Sequence, residues 1–348
     1  LKPCRREERL ACWEVDKPGA ALEKNALPGK GALPSAENCF LGLQSFAVIS
    51  HQVQCPNMGV TNVYVGMRIP GHIGKLSIEE QIAFAKEIGL DAIDLPRPDP
   101  EFKKALDEAG LMAGSVDIGG VSESLHKDEA IRARGVERVK QDIAKAAELG
   151  LKTAFVCLVP ADHAAPRRDN FAIFIETYPE IVAFAESKGV SLAMEPWPGP
   201  APYYPTLACT PEMYRAIFSK ITSPALGICY DPSHFVRIGV DYIRVLEEFG
   251  DRVRHCHGKD TEILHEGRYL YGTIRPSFGT SIGWSEGDWR YTIPGSGEVN
   301  WTKVAALLRI KGYDGIISIE LEDHLYGGSV EANKAGIKKA LAHLRQAI

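Results

Sequence analysis

Six times between residues 86 and 321, a helix-like segment ends at a glycine and an apolar run follows within a few residues. The segments read KEIGLDAIDLP (86–96), DEAGLMAGSVDI (107–118), AELGLKTAFVCLVP (147–160), ESKGVSLAMEP (186–196), EEFGDRVRHCHG (247–258) and RIKGYDGIISIEL (309–321). A glycine at that place can adopt the left-handed conformation that closes a helix. The apolar runs are short and mostly lack strict alternation, which suits strands buried on both faces of a parallel sheet. Helix starts agree with this reading. Ser77 and Glu80 make a capping box, Asp99-Pro100 and Thr210-Pro211 pair a cap with proline at the first helical position, and Asp241, Asn300 and Ser329 are further caps. With Tyr64–Ile69 and Leu226–Asp231 added, eight strands are expected at about 63–69, 92–96, 112–118, 153–159, 191–196, 226–231, 253–259 and 316–321. Strict strand–helix alternation over residues 63–348 predicts an α/β fold, a parallel eight-stranded (β/α)8 TIM barrel with an extended loop after strand seven. The competing doubly wound sheet would place a glycine-rich phosphate turn after strand one, where the chain instead reads IPGHIGK (69–75).

Residues 1–62 are different. They carry Pro18, Pro28, Pro34, Gly19, Gly29 and Gly31 with no sustained period, and they read as an irregular extension outside the folded core. The eight cysteines show no CxxC spacing, so a zinc knuckle is not expected, and Cys157, Cys209, Cys229 and Cys256 read as small buried apolar residues in a reducing cytoplasm. The formal net charge of -5 argues against a nucleic-acid partner, and no apolar run approaches the ~20 residues of a membrane span. A homo-oligomer is left open.

Active sites of such barrels lie at the C-terminal ends of the strands. Strand five ends in Met194-Glu195-Pro196, strand six in Tyr230-Asp231-Pro232-Ser233-His234, strand seven in His255-Cys256-His257-Gly258-Lys259-Asp260, and strand eight in Ile319-Glu320-Leu321-Glu322. Singly, an acidic strand end is as readily a helix cap. Four consecutive strands delivering such groups to one rim predict a metal site made by Glu195, Asp231, His257 and Glu320. Three carboxylates and one imidazole suit one divalent ion, Mn²⁺ first, with Mg²⁺, Co²⁺ and Zn²⁺ also fitting. Of the two strand-seven histidines, only His257 is expected inside the barrel. His234 and Lys259 are candidate substrate contacts, although Lys259 could equally pair with Asp260. Trp197 and Tyr203-Tyr204 after strand five, and Trp284, Trp289, Arg290 and Tyr291 in the long connection 272–301, are candidates for a pocket wall that stacks on a sugar and grips its hydroxyls.

Taken together, Glu195-Pro196, Asp231-x-x-His234, His255-x-His257 with Lys259-Asp260, PGSGEVNW (294–301) and YDGIISIELED (313–323) resemble the xylose-isomerase-like TIM barrels. The nearest likeness is to the sugar phosphate isomerase/epimerase group, with D-tagatose 3-epimerase and inosose dehydratase relatives. That resemblance implies that Glu195 and Glu320 are both metal ligands and the acid/base pair, that Asp231 and His257 complete the metal shell, and that His234 holds the substrate near its carbonyl. Arg290 and Trp197 remain substrate contacts expected from the loop residues themselves. The implied activity is metal-dependent isomerisation or epimerisation of a small-molecule carbohydrate, by proton abstraction next to a carbonyl through an enediolate. A lyase or dehydratase acting on a keto-sugar or inosose is the alternative. An abasic-site endonuclease fits less well, since the histidines such a site would add at strand ends two and three are absent. The epimerase pattern often has a further glutamate soon after the strand-five glutamate, and residues 196–201 hold none. Limited proteolysis of the full chain is expected to trim residues 1–62 and spare the rest; resistance across that segment would place it in the core.

Overall fold

The structure is a computed structural model that describes residues 62–348, so the reading of the N-terminal extension, Asn62 apart, lies outside the described residues. The strands are β1 (Val63–Met67), β2 (Ala92–Leu95), β3 (Met112–Asp117), β4 (Thr153–Val156), β5 (Ser191–Met194), β6 (Leu226–Tyr230), β7 (Val253–Gly258), β8 (Asp260–Ile263), β9 (Trp289–Thr292) and β10 (Gly315–Ile319). Eight of them close a barrel in the order β1-β10-β7-β6-β5-β4-β3-β2, each pair parallel. All eight expected runs are present, but most ladders stop short of the expected C-terminal ends. β5 shows why: the Glu195 amide still donates to the Val156 carbonyl at 2.9 Å, and Pro196 has no N–H to continue.

The expected capping box forms at Ser77 and Glu80. Asp99, Thr210, Asp241, Asn300 and Ser329 each accept a backbone N–H at a helix start. Five of the six helix-closing glycines have positive φ, and Gly250 does not (φ -56°). Gly250 is small for another reason: a Cβ there would lie 2.4 Å from Lys311 Cγ.

Strand alternation divides the side chains. In β10, Ile317 and Ile319 join the buried apolar layer, while Ser318 bonds to Asp94 within the barrel. Buried residues such as Met67, Ile93, Leu192, Leu226, Ile317 and Leu344 form that layer, each fully buried aliphatic side chain contributing about 1.5–3 kcal/mol. No described helix is long and apolar enough to cross a membrane.

The connection between β7 and the helix Trp301–Ile310 was expected to be a loop. It contains an antiparallel pair, β8 with β9, and a short helix, His265–Tyr271. One carboxylate organises its base. Asp260 Oδ1 accepts the amides of Thr261 (2.9 Å) and Val299 (3.0 Å), and Oδ2 accepts the Gly295 amide (3.1 Å) and Trp301 Nε1 (3.3 Å). Asp260 therefore holds the 294–299 turn and does not pair with Lys259. Burial pushes its carboxyl up to about 6 despite these donors. With the folded pKa above the ~3.9 of an unfolded Asp, this group's protonation favours the fold as pH falls from about 6 to 4. Asp260→Ala should cost about 2–4 kcal/mol through lost bonds to a buried charge, and the deficit relative to the parent protein should widen as pH is lowered through that window. Urea unfolding at several pH values measures both, and a deficit that narrows in acid contradicts the assignment.

Candidate metal centre

Four side chains meet at the C-terminal rim of the barrel. Glu195 follows β5. Asp231 follows β6 and caps the helix Pro232–Ile238, its Oδ1 accepting the Ser233 amide at 2.9 Å. His257 is in β7. Glu320 follows β10, its amide donating to the Gly258 carbonyl at 3.2 Å. One ligand atom from each lies within 4.8 Å of every other. Glu195, Asp231 and His257 are 3% exposed or less.

The donor set fits a divalent cation. Glu195 Oε2, Asp231 Oδ2 and His257 Nδ1 are buried and lack a hydrogen-bond partner. Such atoms are costly when left unsatisfied. His257 Nδ1 lies 3.3 Å from Glu195 Oε2 and 3.4 Å from Glu320 Oε2, with no proton donor suitably aimed between them. The other oxygens are anchored by the protein: Glu195 Oε1 by His234 Nε2 (2.8 Å), Asp231 Oδ1 by the Ser233 amide, and Glu320 Oε1 by Arg68 Nε (3.3 Å). Two of the carboxylates thus keep one oxygen held and one free.

Lys259 is fully buried among acids. Its ammonium bonds to Glu320 and Glu322 (3.1 Å to the latter), and it lies 3.2 Å from Asp231 Oδ2. Burial alone would lower its pKa, but the three carboxylates hold it well above the ordinary lysine value. Burial pushes Glu320 up, and Lys259 and His257 more than reverse this, holding it well below the usual range. Glu322 is raised, burial outweighing Lys259.

His255 and His257 are both inside the barrel, against the expectation that only one would be. Residues two apart on a strand share a face. Their rings are 5.3 Å apart, edge to face. His255 Nε2 lies 3.0 Å from Asp94 Oδ2, and burial of Asp94 is overcome by His255, which brings its carboxyl down to about 2. Asp94 also accepts the Ser115 amide and the Ser318 hydroxyl. Gly114 makes room for it, since a Cβ there would lie 1.9 Å from Asp94 Oδ1. Phe155 stacks on His257 (5.4 Å), and the Arg68 guanidinium covers Phe155 (4.4 Å) while gripping Asp117 through both amino groups.

Sequence reading missed Arg68, Asp94 and Glu322. An aspartate within the buried run 92–95 is the signal that could have revealed Asp94. Of the proposed substrate contacts, His234 and Lys259 reach the cluster. Trp197 stands half-buried two residues past Glu195. Arg290 bonds to Glu262 and lies 3.6 Å from Asp323. Its neighbour Tyr291, on the opposite face of β9, bonds to His234 Nδ1 at 2.6 Å.

A family model described as the xylose isomerase-like TIM barrel matches residues 82–347. The fructoselysine 3-epimerase of Shigella flexneri is 22% identical over 272 residues, covering 74% of this chain and 89% of that protein. An inosose dehydratase of Geobacillus thermodenitrificans is 24% identical over 267 residues, covering 72% and 83%. A D-psicose 3-epimerase crystal structure obtained in the presence of D-fructose superposes with a TM-score of 0.61 at 16% identity, covering 82% of this chain and 99% of that one. With a closed parallel eight-stranded barrel and a family match over most of its length, this chain belongs to the xylose isomerase-like TIM barrel family.

Proposed function

We propose that the chain is a divalent-metal-dependent isomerase or epimerase that moves a proton next to the carbonyl of a sugar or sugar derivative. The observation that carries this reading is the pair Glu195 and Glu320, projecting from non-adjacent strands around the orphaned atoms of Asp231 and His257. A bound ion, Mn²⁺ in first place, would polarise the substrate carbonyl and favour its enediolate, contributing several kcal/mol. Glu195 and Glu320 take up and return the proton, to the opposite face in epimerisation or to the neighbouring carbon in isomerisation. His234 acts on the substrate through Glu195, whose Oε1 it holds. Buried Tyr291 and partly buried Phe155 help to exclude water from these groups. Similarity to a fructoselysine 3-epimerase and a psicose 3-epimerase supports a ketose-like substrate.

A dehydratase is the second reading. The supporting observation is Lys259, kept protonated by three carboxylates beside Glu320. After proton abstraction by a glutamate, it could protonate a departing β-hydroxyl, releasing water and leaving a carbon–carbon double bond. The inosose dehydratase likeness favours the same outcome.

Two measurements test the proposal. An ion present at about 100 times its Kd should stabilise the chelator-stripped protein by about 2.7 kcal/mol; absence of a thermal shift with Mn²⁺, Mg²⁺, Co²⁺ and Zn²⁺ would remove the metal from the account. In heavy water with a panel of ketoses and inososes, at least one should gain deuterium next to its carbonyl in a metal-dependent way. Glu195→Gln and Glu320→Gln should each lower that exchange by about 10²–10⁴-fold. Product analysis separates epimer or isomer from dehydrated ketone, and no exchange with any member of the panel counts against both readings.

A further inference from the structure

Behind Glu195 runs a chain of buried hydrogen bonds whose direction can be deduced. Glu195 Oε1 lies 2.8 Å from His234 Nε2, His234 Nδ1 lies 2.6 Å from the Tyr291 hydroxyl, and that hydroxyl lies 2.9 Å from Arg237 Nη1. The two ends are fixed. A guanidinium can only donate and an ionised carboxylate can only accept. Arg237 therefore donates to the Tyr291 oxygen. Burial pushes the Tyr291 phenol far up, so it keeps its proton, and that proton has His234 Nδ1 as its acceptor. Nδ1 then carries no hydrogen, and Nε2 carries the one it donates to Glu195. Lys259 Nζ also lies 3.2 Å from Nε2, but a protonated Nε2 offers it no acceptor, and its hydrogen bonds to carboxylates go to Glu320 and Glu322.

The outer end of the chain is also clamped. Arg237 is 7% exposed, its guanidinium lies 4.2 Å from the centre of the Trp289 ring, and its second amino group donates to Glu286 Oε1 at 3.1 Å. Glu286 in turn accepts the Tyr204 hydroxyl at 3.0 Å. Tyr204 belongs to the same post-β5 segment as Glu195 and holds a left-handed backbone (φ 46°) that tyrosine seldom adopts. The contacts thus form a circuit from Glu195 through the β6 end and the β8–β9 excursion back to the loop that follows Glu195.

We propose that Tyr291 and Arg237 are positioning residues. Acting through His234, they fix its Nε2-protonated tautomer and the orientation of its ring. Glu195 Oε1 is thereby held, and Oε2 alone is presented to the metal and substrate. This rests on the reading of Glu195 as ligand and base. Partners of this kind, set one bond behind a ligand, commonly change metal affinity by about 10–100-fold when removed.

The test is a double-mutant cycle on the full chain, read by Mn²⁺ titration calorimetry, with thermal unfolding to verify that each variant is folded. Tyr291→Phe, which removes only the hydroxyl, should weaken Mn²⁺ binding about 10–100-fold in the parent background. In a His234→Ala background it should change binding less than about twofold, because the two residues act as one unit. Arg237→Met should behave like Tyr291→Phe, and Arg237→Lys, which keeps a donor, should recover part of the loss. Equal losses in both backgrounds, or no loss in either, overturn the proposal. An independent arm uses ¹⁵N-histidine NMR of the metal-free protein, where His234 should show a protonated Nε2 and a bare Nδ1; the opposite tautomer overturns the relay. Should the parent protein bind no divalent ion, the metal-centre reading fails by itself and the NMR arm still decides the relay.

Discussion

Three carboxylates, Glu195, Asp231 and Glu320, crowd into a largely buried barrel mouth around one imidazole, and much of the local architecture answers that concentration of like charge. Anions taken out of water must be protonated, paired or coordinated. Two permanent cations, Lys259 and Arg68, meet Glu320 at its two different oxygens. Glu195 has no such partner at hydrogen-bond distance. His234 holds one of its oxygens, and the other lies 3.3 Å from His257 Nδ1. Glu195 and Glu320 therefore stand in different electrostatic surroundings, the first beside imidazoles and the second beside two cations.

Support for this cluster extends down the barrel. His257 is stacked by Phe155, which is covered by Arg68, and its neighbour His255 is tied to Asp94. Asp94 sits in space that β3 yields by having glycine at 114. This part of the barrel interior is thus a polar scaffold below the four-residue cluster and not an apolar filling, and the apolar core proper lies between strands and helices.

The architecture was legible because strands buried on both faces leave an apolar run bounded by glycine caps, and because helix starts carry local chemistry such as Ser77 with Glu80. The four candidate ligands were legible because each stands at a strand end, which the fold brings to one rim. Arg68, Asp94 and Glu322 were not, since their significance depends on partners distant in sequence: Arg68 meets Glu320, and Asp94 meets His255. Adjacency misled in one place. Lys259 and Asp260 invite pairing on paper, yet neighbours on an extended chain point apart, one into the barrel and one into the turn at 294–299. Arg290 and Tyr291 repeat the lesson: four residues of strand are too short a stretch for sequence alone to say which of them faces the site.

Asp260 binds amides at both the entrance and the exit of the excursion between β7 and its helix. Whatever the intervening chain does, its two stems leave the barrel side by side. The entropic penalty of joining close-set stems grows only slowly with length, about 0.6 kcal/mol for each doubling. The segment between them can therefore be spliced, lengthened or exchanged as a cassette without disturbing the strand ends, provided that Tyr291 or an equivalent group still reaches His234. Diversification within such a lineage would be concentrated at this clasped junction, where new recognition surfaces can be tried on an unchanged chemical base.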